Sequence, residues 1–218
     1  TAVANLMRVN VLKRMESSVN SFRITLSRIL KGCEELRRQL AELDPGAAYD
    51  ASEADEFDDD DDAEEFAAGG SIHVDLRDVD ALRLADDLDY DIGKLHELLD
   101  YAERVTPERD AKLAKLRSFI EEKVRSPYNP GNRKVLVFTA FADTADYLFE
   151  QLAPQLKAEL GLECAEVTGD RNRTWSLRLP RTTFEEVLGH FSPVSKELSA
   201  EDRALGEVDV LFATDCIS

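Results

Sequence analysis

Apolar side chains recur at Leu12, Met15, Val19, Phe22, Leu26, Ile29, Cys33, Leu36, Leu40 and Leu43 in alternating steps of three and four. That spacing lines them along one stripe of a helix and predicts a single long helix with a coiled-coil-like seam. Asp44-Pro45-Gly46 ends it, because proline disfavours helix in the residue before it and glycine accepts the dihedrals that follow a helix end. A second seam runs through Ala81, Ala85, Leu88, Ile92, Leu95, Leu99 and Ala102, with Gly93 costing it about 1 kcal/mol relative to alanine. Two such stripes can bury each other as an antiparallel hairpin. Between them, over about residues 44–71, like charges crowd together and few apolar groups offset chain entropy, so a solvated, mobile loop is expected at the hairpin tip.

After Val105 the pattern changes. Thr106-Pro107-Glu108 reads as a helix start, with Thr106 as cap, and the helix should run to about Arg125. SPYNPGN makes a turn, and KVLVFTAF is a short apolar, β-branched run of the kind found in a buried parallel strand. Asp143 can cap a helix whose apolar face is Ala145, Leu148, Leu152, Leu156 and Leu160, broken or kinked at Pro154. LECAEVTG reads as a second strand, Arg181 to Phe191 as a helix and DVLFATD as a third buried strand. Strands alternating with helices imply an α/β fold with a parallel sheet and right-handed crossovers. The domains expected are a helical one over residues 1–105 and an α/β one over residues 106–218.

The 218 residues, 43% hydrophobic, suffice for one sizeable core or two small ones. No run approaches the roughly 18 apolar residues of a membrane span. Cys33, Cys164 and Cys216 stand far apart with no CxxC pair, which suggests neither a disulfide framework nor a zinc site and fits reduced thiols in a cytoplasmic protein. The net charge of -18 argues against a polyanionic partner until its distribution is considered. Asp50 to Glu65 hold 11 acids and no base; without them 34 acids face 27 bases. Residues 1–31 carry six bases and one acid, so the total conceals a basic amino-terminal stretch that includes Arg8, Lys13, Arg14, Arg23 and Arg28.

In open parallel sheets ligands bind at the carboxyl ends of the strands. The predicted strands stop at Thr139, at Thr168-Gly169-Asp170-Arg171 and at Thr214-Asp215. Hydroxyls, a glycine and an arginine on one rim suit phosphate oxygens. The same residue types also serve ordinary strand-to-helix turns, so both readings stand at this point. His73, His96 and His190 are isolated and share no ligand spacing, which leaves no catalytic or metal-ligating set, and Trp175 is expected in packing.

VLVFTAFADTADYL resembles the strand-loop-helix that opens the second lobe of superfamily-two helicases, VTGDRNR resembles the glycine-containing loop that follows, and DVLFATDCIS resembles the start of their Thr-Asp motif. KRMESS with FRITLSRIL is similar to a segment just after the first lobe of bacterial Swi/Snf-type ATPases, and RDAKLAKLRSFI to the helix leading into their second lobe. The resemblance implies a fragment of an ATP-driven nucleic-acid translocase: a helical insertion followed by the first part of a RecA-like lobe. It implies DNA or RNA as partner, with Thr139, Gly169, Arg171 and Thr214 gripping or supporting the grip on its backbone and Asp215 coupling the lobe to the nucleotide cleft. ATP and magnesium would belong to the intact parent. The chain holds no GxxxxGK[ST] loop and no DExx box in a first-lobe setting, so no ATPase activity is expected of it alone.

The resemblance also implies a cut sheet edge at residues 208–213, expected to self-associate. The basic amino-terminal helix could extend the nucleic-acid track, and the acidic run could act as a decoy for that site. The competing reading is a helical protein-interaction module on an α/β scaffold.

Overall fold

The computed structural model describes residues 2–42 and 80–214, which fall into two units, Thr1–Val105 and Thr106–Ser218. The acidic stretch at about residues 44–71, Leu43, His73, Asp215 and Cys216 lie outside the described residues.

In the first unit, helices α1 (Ala2–Ser17) and α2 (Val19–Glu42) replace the single helix expected. Ser18 separates them, its hydroxyl oxygen accepting the Ser21 N–H at 3.0 Å as a helix cap does. The seam fails amino-terminal to this break. Leu12 and Met15 are 53% and 44% exposed, whereas Asn10, Arg14, Ser18, Ser21 and Thr25 are buried, so the stripe removed from solvent at this end is polar. Arg14, read from its charge as part of a basic surface, is buried and donates to Ser21 Oγ.

Carboxyl-terminal to Ser18 the seam holds. Leu26 and Leu30 of α2 cluster with Leu99 of α3 (Ala81–Glu103), flanked by Phe22, Ile92 and Leu95. Leu26 and Leu30 meet Leu99, Glu34 approaches His96, and Arg37 forms a two-pronged bond with Asp89, so advancing along α2 means retreating along α3 and the pair is antiparallel. Asp80 caps α3 by accepting from the Arg83 N–H.

The second unit opens with a 3-10 turn, Pro107–Arg109, where Thr106 makes no side-chain cap bond. Helix α4 (Ala111–Arg125) starts later, capped by Asp110, whose Oδ1 accepts from the Lys112 and Leu113 N–H groups at 2.9 and 3.0 Å. Asp110 sets the helix start because its charged carboxylate satisfies two orphan donors of the first turn at once. Then follow β1 (Val135–Phe138), α5 (Ala142–Leu160), β2 (Cys164–Val167), β3 (Asn172–Thr174), α6 (Phe184–Phe191), α7 (Ala200–Arg203) and β4 (Val210–Ala213). Helix α5 begins at Ala142, with Asp143 inside its first turn rather than before it, and continues through Pro154 to a left-handed Gly161.

The strand order is β1-β4-β2-β3. Strands β1 and β2 each pair in parallel with β4, and β3 returns antiparallel to β2, so the sheet is mostly rather than wholly parallel. Val210 and Phe212 of β4 join α4 and α5 in one core, while Leu211 and Ala213 join α6 in another, which makes three layers. This order overturns the expected sticky edge at 208–213: β4 is central, with all four residues buried. The parallel edge is β1, expected to be buried, whose Leu136 and Phe138 are 42% and 54% exposed. Short apolar runs report burial of at least one face and say nothing of a strand's place in the order.

Candidate functional site

Parallel register determines which residues share a rim. Phe138 and Val167 both align with Ala213, so the next residue along each strand, Thr139, Thr168 and Thr214, stands at the carboxyl end of three neighbouring strands. The Thr139 N–H donates to the Ala213 carbonyl at 2.9 Å and the Thr214 N–H to the Val167 carbonyl at 3.2 Å, which ties the three strand ends together.

The hydroxyls are already engaged locally. Thr139 Oγ1 donates to the Phe141 carbonyl at 2.9 Å, closing the turn into α5. Thr168 accepts the Arg171 N–H on Oγ1 at 3.1 Å, while its own N–H donates to the Arg171 carbonyl at 2.8 Å. That exchange makes Gly169 and Asp170 the exposed tip of a tight β2–β3 hairpin. Arg171 leaves the hairpin with its side chain 55% exposed and donates from Nη1 to Asp146 Oδ1 of α5 at 2.7 Å. Thr139, Gly169, Arg171 and Thr214 are therefore brought to one rim, and Asp215 follows directly on Thr214 outside the described residues.

Beside the rim lies a charged network that the pattern of residues did not reveal. Arg173 of β3 is the register partner of Glu166 on β2 and donates from Nε to its Oε2 at 2.5 Å. Its Nη2 donates to Asp146 Oδ1, its Nη1 lies 3.4 Å from Glu150 Oε1, and its guanidinium stacks 4.6 Å above the Phe149 ring. Glu166 is 1% exposed, and desolvation pushes its carboxyl up to about 7, against the opposing pull of Arg173. The one sequence signal was Glu166, an acid inside the otherwise apolar run Cys164–Val167.

The other candidates serve structure. His190 is buried and donates from Nδ1 to the Gly206 carbonyl at 2.7 Å. Trp175 meets Phe149 edge to face. Burial pushes the Cys164 thiol up to about 12, and Cys33 is also raised, first by desolvation, so neither is a ready nucleophile. Among the described residues no group of three His, Cys, Asp or Glu is placed to hold a metal ion. At the rim the Thr139 and Thr168 hydroxyls close their own turns and Arg171 is held by Asp146. A groove of about 530 Å³ between α4 and α5 lies elsewhere, and the Arg117 fork in it is occupied by Glu121, Gln155 and Glu159.

The fold defines a mixed α/β chain with a four-stranded, mostly parallel sheet and, among the described residues, seven α-helices. No family model, curated protein or solved structure matches it. No described helix is long and apolar enough to cross a membrane.

Proposed function

We propose that residues 106–218 form the opening part of the second RecA-like lobe of a Swi/Snf-type nucleic-acid translocase, and that residues 1–105 are a helical insertion before it. The observation that carries the reading is the shared rim. Three adjacent parallel strands end in threonines beside an exposed Gly169-Asp170 tip and Arg171, the position where open parallel sheets present ligand-binding groups. These groups suit a phosphate backbone, which repeats regardless of base sequence and so fits a motor that moves along a strand. ATP and magnesium belong to the assembled motor, because the 218 residues hold no GxxxxGK[ST] loop to cradle a triphosphate.

Titration of the 218-residue chain with a labelled short DNA duplex, a DNA single strand and an RNA single strand at several salt concentrations tests this. Binding to at least one, with Arg171→Ala weakening it uniformly across base sequences and lowering the salt slope by about one, supports a backbone grip. Absence of binding at low salt, or a loss confined to particular sequences, overturns it.

A further inference from the structure

Two arginines converge on one carboxylate at the rim, and their other partners differ. Arg173 is held from several sides: by buried Glu166 across the ladder, by Glu150, and by the face of Phe149. Arg171 projects further into solvent, and the described side chain that engages its guanidinium is Asp146. Removing Asp146 would leave Arg173 with two carboxylates and a ring, but would release Arg171.

The backbone of Arg171 stays fixed in either case. Its N–H and carbonyl both bond Thr168, so the hairpin presents the side chain from the same point whether or not Asp146 holds the tip. An anchored arginine whose guanidinium meets an acceptor at a partly exposed site is arranged for exchange: an incoming phosphate oxygen can make the same charge-assisted bond that the carboxylate makes. The exchange must cost little, because a half-exposed ion pair is weak in water.

We propose that Asp146 is a latch on Arg171, a carboxylate occupying the place of a phosphate oxygen, which a nucleic-acid backbone displaces when it settles on the rim. The inference rests on the reading of the rim as a backbone grip and assigns its regulation to α5. Asp146 is on this view a positioning residue that never touches the nucleic acid, lowers affinity in the free state and keeps the arginine from non-specific anions. Binding transfers Arg171 from carboxylate to phosphate and leaves Asp146 to Arg173.

The test uses the 218-residue chain and anisotropy of a labelled short DNA duplex over a salt series. Asp146→Asn should tighten binding by about fivefold at low salt, the most that an exposed ion pair returns. It should also steepen the salt dependence, since Arg171 no longer begins neutralised by a carboxylate. Glu150→Gln removes the same charge one turn along α5 without touching Arg171, and should change affinity by less than about twofold through screened repulsion alone. In an Arg171→Ala background, Asp146→Asn should shrink to the effect of Glu150→Gln. Asp146→Ala, which removes the acceptor as well as the charge, should tighten binding at least as much as Asp146→Asn, and thermal melts of each variant report whether the fold is kept. Equal effects of Asp146→Asn and Glu150→Gln, or an Asp146 effect that survives the loss of Arg171, overturn the latch and leave the backbone grip standing. Failure of the wild-type chain and of every variant to bind overturns the grip and the latch together.

Discussion

Glu166 and Arg173 face each other across the β2–β3 ladder, and the acid of the pair is the more deeply buried, at 1% exposed against 30% for the arginine side chain. The sheet and α5 thus hold a carboxyl whose protonation state responds to burial as much as to its partner.

A pH dependence follows. The Glu166 carboxyl is raised from 4.5 to about 7, so between those values the folded chain retains a proton that the unfolded chain has released. Its contribution to stability is complete below 4.5 and falls as pH rises through 7, by up to about 3 kcal/mol. Urea melts across this range should show that slope flattened in Glu166→Gln, with the variant gaining on the parent toward pH 8. Parallel profiles for the two chains would mean that Arg173 keeps the carboxylate charged throughout.

Asp110 caps α4 and also accepts the Tyr147 hydroxyl on Oδ2 at 3.0 Å, although it is only 7% exposed. Asp110→Ala removes the cap and the carboxylate that accepts the Tyr147 hydroxyl, with an expected loss of about 2–4 kcal/mol. Thr106→Ala, at the residue whose side chain makes no cap bond, should stay within about 0.5 kcal/mol. Denaturant midpoints of the two variants provide the comparison, and equal losses would contradict the assigned helix start.

The strand order predicts opposite tolerance of proline. Val210 is in the central strand and donates its N–H to the Glu163 carbonyl at 3.0 Å, so Val210→Pro should cost about 3 kcal/mol or more. Val135 and Thr139 donate to β4, and alternation turns the Leu136 N–H outward from the edge, so Leu136→Pro should be the milder change. Circular dichroism melts that rank them the other way would refute the β1-β4-β2-β3 order.

Gly206 has φ near 125°, and a Cβ there would meet Leu177 Cδ1 at 2.8 Å. Gly206→Ala should therefore lower stability by about 1–3 kcal/mol, and disturb the carbonyl that receives the His190 proton. A change in the His190 ring resonances accompanying the loss in melting temperature would locate the damage there, and an unchanged melting temperature would refute the strain.

Much of this architecture was legible because burial leaves a period. Leu26, Leu88 and Leu99 are buried as their three-four spacing predicts, as are Ala145, Leu148, Leu152 and Leu156 of α5. Where the outcome depended on what lies alongside, periodicity was silent. Nothing in VLVF distinguishes an edge strand from a central one, and Asn172–Thr174 is too short and polar to announce β3. Without β3 the Glu166–Arg173 pair had no reason to form. Leu12 and Met15 continued an apolar stripe in number only, because the Ser18 cap ended the helix that would have carried it. Thr139, Gly169, Arg171 and Thr214 were found as strand ends; that Arg171 is engaged by a carboxylate was not, since Asp146 is distant in the chain and met only through packing of α5.

The central place of β4 also imposes an order in time. Strands β1 and β2 emerge from the ribosome first, yet neither borders the other, and each waits for a neighbour synthesised after both. Until residues 210–213 arrive, β1 shares no ladder with the β2–β3 hairpin, and the rim of threonines has no middle. Such long-range pairing is intrinsically slow. The sheet therefore closes like a keystone arch, from the last piece inward, and a polypeptide halted before residue 210 would carry the outer stones without the one that locks them.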